Sequence, residues 1–404
     1  MATGELEWEA FDDGEWGVGW MYVSNFYFCA EFYLFTELHF CTELQFCEEL
    51  LFYTELYFSL IQVLREKKFL TRVRSGVQYF DVAYGALYGF ATFGTNAGHN
   101  GTSGGAFYQN PEVYEDFTWR AIYTGAQVGK AITSQFYDDD CGKSYYIGCS
   151  TGGRQGFKAV QQNPELFDGV VVGAPALDLS GHIAWWGHAY ELMGFDPNNT
   201  LISLEQMAGI QAEVMKQCDG LDGAMDGILE DPSMCQFDWA PLTCPENCNS
   251  TASCLTPEQV QGAAQLFAPI TYNNTFIHPG HYHGYEAALA QGTYLPGVAD
   301  WVTEGYRDVL YDDPTWDPTT FTLKDAYNAA LLNPSNGNSF DGDISTFRDR
   351  GGKILHWHGG ADWLLAQSVS NRYVIIGYNV RRDHATALHF ASTLHTETLL
   401  DQFC

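Results

Sequence analysis

The chain has 404 residues, more than one average domain, so we expect one large domain or a core with a sizeable insertion. Hydrophobic residues make up 46% and aromatic residues 15% of the sequence, which argues for a buried core and against a disordered chain. The formal net charge of −31 disfavours nucleic acids and anionic membranes as partners, because both would be repelled. No apolar run reaches transmembrane length, so no membrane span is expected.

The cysteines and glycosylation sequons both favour secretion. The chain has 11 cysteines, and many of them lie between Cys218 and Cys254. Clustered cysteines without CxxC pairs indicate disulfides in an oxidising compartment rather than a zinc site. The first twenty residues, however, are acidic and lack the features of a signal peptide. Sequons for N-glycosylation begin at Asn100, Asn198, Asn249 and Asn273.

The N-terminal region repeats every six residues from Thr36, with three Thr-Glu-Leu units, one Glu-Glu-Leu unit at 48–50 and a phenylalanine in each repeat. A period of six does not keep an apolar face on one side of a helix, and alternation fits a strand better. We interpret residues 1–75 as a segment foreign to the fold, produced by translation of non-coding repeat DNA. The alternatives are an aggregation-prone β segment and a genuine interaction segment.

From about residue 78 the composition becomes that of a globular domain. A short buried strand is predicted between Gly89 and Gly94, followed by a helix over 112–136 with apolar spacing. A strand at 144–147, a helix at 154–162 and a strand at 170–173 follow. Strand, helix and strand in these lengths predict a parallel sheet, and therefore an α/β fold.

A candidate nucleophile lies between the predicted strand at 144–147 and the helix after it. The segment from Gly148 to Gly152 fits G-x-S-x-G, in which the serine occupies a strained turn that flanking side chains would obstruct. Ser150 is then the nucleophile, and the amide of Thr151 points at the oxygen that becomes an oxyanion. The alternative is a glycine-rich phosphate cradle, but no lysine follows at the spacing of a P-loop.

The nucleophile segment over 146–156 resembles that of fungal tannases and feruloyl esterases. The resemblance continues through 167–170 and 173–176, includes the block Gly-Thr-Asn-Ala-Gly-His-Asn-Gly at 94–101, and covers about 76–373. It implies an α/β-hydrolase fold and a secreted carboxylic ester hydrolase that acts through an acyl-enzyme. The implied partner is a small aromatic ester or a phenolic ester of the plant cell wall. Feruloyl esters are favoured over galloyl esters because plant-wall phenolic esters are the commoner substrate class of the family.

A serine hydrolase also needs an acid and a histidine, and the sequence indicates these two residues less clearly than the serine. In this fold the chain order is serine, acid, histidine. The apolar strand and glycine-rich turn at 353–362 resemble the family's acid segment, which makes Asp362 the carboxylate that orients the imidazole. A solvated loop aspartate is the alternative.

The family's histidine precedes a cysteine that is disulfide-linked to the cysteine before the nucleophile, here Cys149. This chain has no His-Cys dipeptide, and we expect no base among the histidines after the acid, which are His384, His389 and His395. The family's glycine-rich oxyanion strand is also expected before Gly76 and is not recognisable. Without a base a serine is a weak nucleophile, so an inactive remnant or a binding protein is the alternative to an active esterase.

A loop with three aspartates and three glycines suggests a calcium site. Calcium takes six to eight oxygens from carboxylates and backbone carbonyls, although the spacing here is not that of an EF-hand. An ordinary acidic turn is the alternative from spacing alone. Resemblance to the family's structural calcium site implies carboxylates from Asp219, Asp222 and Asp226 and carbonyls from Ala224 and Ile228.

The resemblance also implies that Cys218 and Cys235 form a disulfide around this loop. Cys244 with Cys254 is the next expected pair, which leaves Cys141, Cys248 and the cysteines of the repeat without assigned partners.

We expect three regions: the segment at 1–75, a core formed by 76–178 and 339–404 with an atypical C-terminal end, and a lid at 179–338. A lid would shape the acyl pocket and shield it from water. Lid aromatics face either the acyl group or the core of the lid, and they include Trp185, Trp186, Trp301 and Tyr306. Arg307 is a candidate contact for a polar substituent, with a surface ion pair as the alternative.

Overall fold

The computed structural model describes residues 17–23, 26–32, 68–73, 83, 85–101, 103–245, 254–379 and 389–391. Side chains are described over 83, 85–101, 103–245 and 254–374. No helix in these ranges is long and apolar enough to cross a bilayer.

A parallel sheet of six strands organises the described residues, in the order β10-β9-β6-β5-β3-β4. Two further pairs, β1 with β2 and β7 with β8, are antiparallel. The strands are β1 Gly17–Val23, β2 Phe26–Phe32, β3 Lys68–Val73, β4 Ala91–Phe93, β5 Lys143–Cys149, β6 Gly169–Gly173, β7 Ile270–Tyr272, β8 Thr275–His278, β9 Lys353–Trp357 and β10 His389–Ala391. The predicted parallel sheet is confirmed. Strand β3 lies inside it, although it falls within the segment that the sequence sets apart.

Helices cover both the sheet and the long segment between β6 and β9. The predicted helix over 112–136 is present as α1 and α2, joined by a π-helical turn at Asp116–Arg120. A second π-helical turn, Gly305–Leu310, continues α8. The helices are α1 Pro111–Glu115, α2 Ala121–Tyr137, α3 Thr151–Gln162, α4 Leu179–Met193, α5 Leu204–Cys218, α6 Pro257–Phe267, α7 Glu286–Thr293, α8 Val298–Glu304, α9 Leu323–Leu332, α10 Ser345–Asp349 and α11 Gln367–Asn379.

Helix α3 packs closely on β5 and β6 to form the core beside the sheet. Phe157 on α3 and Tyr146 on β5 are fully buried in this core. A Cβ atom at Gly156 would lie 2.6 Å from the ring of Tyr146 and 2.7 Å from Val172, so only glycine allows this approach. The glycines after the nucleophile therefore bring its helix onto the sheet.

The segment between β6 and β9 builds a second hydrophobic core, centred on α4. Trp185, Trp186 and Tyr306 are between 1% and 2% exposed in that core, so the alternative that they pack inside the lid is correct. Helices α5 and α6 each begin with a capping box, from Ser203 and Thr256 respectively. The limits predicted for the lid and for the other two regions remain predictions.

Candidate active site

Ser150 occupies a strained turn between β5 and α3. Its φ of 59° and ψ of −120° lie outside the backbone regions that residues other than glycine usually adopt. A Cβ atom at Gly148 would lie 2.5 Å from the carbonyl oxygen of Gly152, so the turn cannot close with a larger residue there. This is the geometry of a nucleophile elbow, which lifts the hydroxyl above the carboxyl edge of the sheet.

The end of β6 fixes this turn through the backbone. The amide of Ser150 donates to Gly173 O at 3.0 Å, and the amide of Ala176 donates back to Ser150 O at 3.2 Å. A Cβ atom at Gly153 would lie 2.7 Å from Gly173 O and 2.9 Å from Pro175. The two sequence blocks that carry the family resemblance, at 146–156 and 173–176, are thus held against each other.

Thr151 is the first residue of α3 and lines the same cavity as Ser150. Helix N-termini present unpaired amides and a partial positive charge, both of which stabilise a developing anion. The position suits the oxyanion role predicted for the Thr151 amide, which stays a prediction.

Asp362 follows β9 at the same edge of the sheet and is 7% exposed. Its Oδ1 accepts from the amides of Leu364 at 3.0 Å and Leu365 at 2.9 Å. Its Oδ2 lies 3.4 Å from His358 Nε2, and the same nitrogen lies 2.9 Å from Leu365 O. The carboxylate is therefore anchored from two sides, and the two leucines it anchors line the cavity in front of Ser150.

That cavity encloses about 330 Å³ and is mostly aromatic and aliphatic. Its wall combines the loop after β4, the helices α1 and α4, and the lid helix α8. Trp301, which is 41% exposed, is the member of the predicted lid aromatics that reaches it. Besides Ser150 and Thr151, the aromatic and polar lining residues are His99, Phe107, Tyr114, Phe117, His182, Trp301 and Glu304.

Two histidines at the cavity were missed by the sequence reasoning. His99 belongs to the block at 94–101 that carries the resemblance, so the sequence could have indicated this residue. No sequence pattern indicates His182, which lies on α4. Burial lowers the pKa of His182 to about 4, with the negative charge of Asp362 opposing the shift. Within the described side chains, nothing hydrogen bonds the hydroxyl of Ser150. The later histidines lie outside the described residues, except that His389 has its backbone in β10.

Arg307 is not brought to the cavity by the structure. Its guanidinium pairs with the adjacent carboxylate of Asp308, through Nε at 2.7 Å and Nη2 at 2.6 Å. The pair raises the pKa of Arg307, and its side chain is 31% exposed. The ion-pair alternative therefore describes this residue, because its nearest acidic partner is its own neighbour on the π-helical turn.

The acidic loop after α5 is ordered by its own backbone amides. Asp219 accepts from the amide of Gly227 at 2.9 Å, and Asp222 accepts from the amides of Ala224 at 2.9 Å and Glu230 at 3.0 Å. The third carboxylate, Asp226, accepts from the amide of Ile228 at 3.2 Å. The described part of the chain contains no group of three His, Cys, Asp or Glu side chains placed to hold a metal ion. The calcium site implied by the resemblance stays a prediction.

Both predicted disulfides are present, linking Cys218 to Cys235 and Cys244 to Cys254. Cys149, beside the nucleophile, is also disulfide-bonded. Among the described cysteines, Cys141 is a free thiol.

Comparison with known proteins places this architecture in a family. The family model described as "Tannase and feruloyl esterase" matches residues 69–375, beginning at β3. The chain belongs to the tannase and feruloyl esterase family. It is 44% identical over 298 residues to "Probable feruloyl esterase B-1" of Aspergillus flavus, a match that covers 74% of this chain and 56% of that protein. The chain thus spans little more than half the length of the curated relatives it matches.

Solved structures agree with this assignment. Feruloyl esterase B from Aspergillus oryzae is 39% identical with a TM-score of 0.73, covering 78% of this chain and 64% of that one. Another esterase from Aspergillus oryzae is 41% identical, also with a TM-score of 0.73, covering 78% and 63%. Tannin acyl hydrolase from Aspergillus niger, at 22% identity and a TM-score of 0.60 over 80% and 65%, supports the fold alone. The predicted α/β-hydrolase fold and the family resemblance are confirmed.

Proposed function

We propose that this protein is a serine carboxylic ester hydrolase that acts on esters of hydroxylated aromatic acids, with feruloyl esters preferred over galloyl esters. The observation that carries the proposal is the strained turn at Ser150, which opens onto an aromatic cavity beside the anchored Asp362. The names of the relatives, which are feruloyl esterases, support the same reaction class.

The chemistry follows from the placement of these groups. Ser150 Oγ attacks the ester carbonyl, and the Thr151 amide stabilises the oxyanion at the start of α3. Asp362 holds an imidazole in the tautomer that takes the serine proton and then gives it to the leaving alcohol. Water then releases the aromatic acid from the acyl-enzyme. No described histidine hydrogen bonds Ser150 Oγ, so the histidine in this role is not assigned.

The test is hydrolysis of methyl ferulate, followed before and after steady state. The proposal expects a burst of methanol equal to the enzyme concentration, and a fall of at least roughly a thousandfold in kcat for Ser150→Ala. Ser233→Ala, which changes an exposed serine outside the cavity lining, is the matched control and should keep full turnover. Unchanged turnover in Ser150→Ala would refute the covalent route.

A binding protein that does not hydrolyse its ligand is the second candidate. It is favoured by the lack of any described hydrogen bond to the Ser150 hydroxyl. Saturable binding of methyl ferulate with neither burst nor turnover would establish this function in place of the esterase.

Secretion, glycosylation and structural calcium form part of the same proposal. The disulfides fit an oxidising compartment, and three of the four sequon asparagines, Asn100, Asn198 and Asn273, are exposed. Small phenolic esters are the proposed partners, with no role for nucleic acids or membranes. Release into the medium with a mass that falls on enzymatic deglycosylation would support secretion, and an intracellular, unglycosylated product would refute it.

A further inference from the structure

An aromatic box, formed by Phe107, Tyr114 and Phe117, is part of the wall of the cavity that Ser150 lines. The rings of Phe107 and Tyr114 are 5.1 Å apart, and Phe117 lies 5.1 Å from Phe107 and 5.9 Å from Tyr114. His99 packs edge-on against this box, 4.9 Å from Phe107 and 5.8 Å from Phe117. All four side chains line the cavity, so a flat ring bound there would contact aromatic faces and edges.

The imidazole of His99 presents an acceptor in this box. Its Nδ1 lies 3.3 Å from Ala97 O, and because a carbonyl only accepts, Nδ1 carries the proton. The lone pair of the neutral ring is then on Nε2, which has no hydrogen-bond partner among the described residues. Burial lowers the pKa of His99, which keeps the ring neutral.

The hydroxyl of Tyr114 presents a donor in the same box. Tyr114 is 7% exposed, yet no described residue hydrogen bonds its hydroxyl. Burial raises its pKa to about 12, so the hydroxyl keeps its proton. The cavity wall thus presents one donor and one acceptor that no described residue pairs, and a ligand with complementary groups can bind both.

The nearby carboxylate of Glu304 is already occupied. Its Oε1 accepts from the Ser103 hydroxyl at 2.5 Å, and its Oε2 accepts from the Gly104 amide at 2.6 Å. These bonds join the end of the lid helix α8 to the loop that follows β4. The carboxylate thus fixes the cavity wall, and its charge disfavours an anionic ligand group at this end.

We propose that His99 and Tyr114 are specificity-determining residues that bind the ring oxygens of a phenolic acyl group. His99 Nε2 accepts from a phenolic hydroxyl, and Tyr114 Oη donates to an adjacent methoxy or hydroxyl oxygen. This inference rests on the proposed function, because it places the acyl ring in the cavity in front of Ser150. It predicts preference for 4-hydroxy-3-methoxy rings over the unsubstituted ring of cinnamate.

Equilibrium binding to Ser150→Ala tests the inference without hydrolysis. Dissociation constants for methyl ferulate and methyl cinnamate are measured by calorimetry on the full chain. Two recovered hydrogen bonds predict that methyl ferulate binds roughly tenfold to thirtyfold more tightly. Tyr114→Phe, which removes only the hydroxyl, should reduce this ratio roughly fivefold and leave cinnamate binding unchanged. His99→Phe, which keeps a ring in the box, should do the same.

Tyr108→Phe is the matched control, since it removes a tyrosine hydroxyl from the adjoining loop but not from the cavity lining. Its ferulate-to-cinnamate ratio should equal that of Ser150→Ala alone. Equal affinities for the two esters, or variants that weaken both equally, would overturn the inference. If a variant does not fold, the ratio in the Ser150→Ala parent decides the question.

Turnover of both esters by the unmodified chain, compared with these affinities, separates this inference from the proposed esterase activity. Selective binding without turnover in the unmodified chain leaves the inference standing and removes the esterase. Turnover with no ferulate preference leaves the esterase and removes the inference. A fall in kcat for both esters by the same factor in His99→Phe would assign His99 to proton transfer instead. If neither ester binds, both proposals fail.

Discussion

Arg154, on the helix after the nucleophile, is a buried cation held by backbone carbonyls. It is 0% exposed, and its Nη1 donates to Thr118 O at 2.8 Å and to Gly337 O at 3.0 Å. Its Nη2 donates to Phe117 O at 3.2 Å, and the guanidinium lies 5.3 Å from the ring centre of Phe117. No carboxylate pairs with it among the described side chains. Burial lowers the pKa of Arg154 to about 10, which still leaves it charged at neutral pH.

Replacing Arg154 with methionine should destabilise the protein. The change removes the side-chain donor to the buried carbonyls of Thr118 and Gly337, whereas Phe117 O keeps the side-chain amide of Gln155 at 2.6 Å. Each unsatisfied buried carbonyl costs about 1–3 kcal/mol. Removing a desolvated cation offsets part of this cost. We expect a net loss of about 3 kcal/mol in the free energy of unfolding, which for a chain of 404 residues is a fall of roughly 4 °C in Tm. Arg154→Lys should be at least as damaging, because an ammonium keeps the buried charge but cannot span three carbonyls.

Thermal unfolding followed by circular dichroism measures both variants. Arg348→Met is the matched control, since this arginine pairs with its neighbour Asp349 at the surface, and its Tm should not change. A Tm for Arg154→Met equal to or above that of the parent would refute the reasoning. It would mean that the desolvation cost of the guanidinium outweighs its hydrogen bonds.

Three further predictions concern the site and its surroundings. Gly153→Ala should cost about 1–3 kcal/mol by overpacking against Gly173 and Pro175, and an unchanged Tm would contradict this. Tm should fall as the pH drops from about 6.5 towards 3. Burial lowers the pKa values of His281 and His356 to about 3. Between pH 6.5 and 3 the unfolded chain therefore binds more protons than the folded protein, which favours unfolding, and a Tm that does not change with pH would contradict this. Calcium should raise Tm and a chelator lower it, with the difference abolished in Asp222→Asn, and equal values would remove the calcium assignment.

The strained turn at Ser150 was predictable because its constraints are local. A serine at positive φ needs small neighbours, so Gly148 and Gly152 reveal the turn in the sequence itself. Alternating strands and helices likewise predict the parallel sheet. Strand β3, Lys68–Val73, was not anticipated because it follows an acidic repeat that dominates the composition of its region. Its place in the sheet depends on pairing with β5 and β4, which no local pattern encodes.

The cavity could not be predicted in the same way, because distant segments build it. Arg307 carries a charge that suits a substrate contact, but its partner depends on the π-helical turn that places Asp308 beside it. His182 and Tyr114 lie on different helices and carry no periodic signal of their own. Only the fold brings them to the carboxyl edge of β5, next to Ser150.

The polar residues of α3 bind backbone carbonyls of distant segments, in addition to forming the helix after Ser150. Lys158 donates to Asn338 O, and Gln161 donates to Ser339 O at 3.0 Å, so both reach the segment that returns from the lid to the core. Arg154 binds the same segment and the π-helical turn. These irregular stretches cannot satisfy their carbonyls through regular secondary structure, so buried side chains must do it. Helix α3, which begins next to Ser150, thereby also fixes the π-helical turn and the segment around Gly337 that returns from the lid.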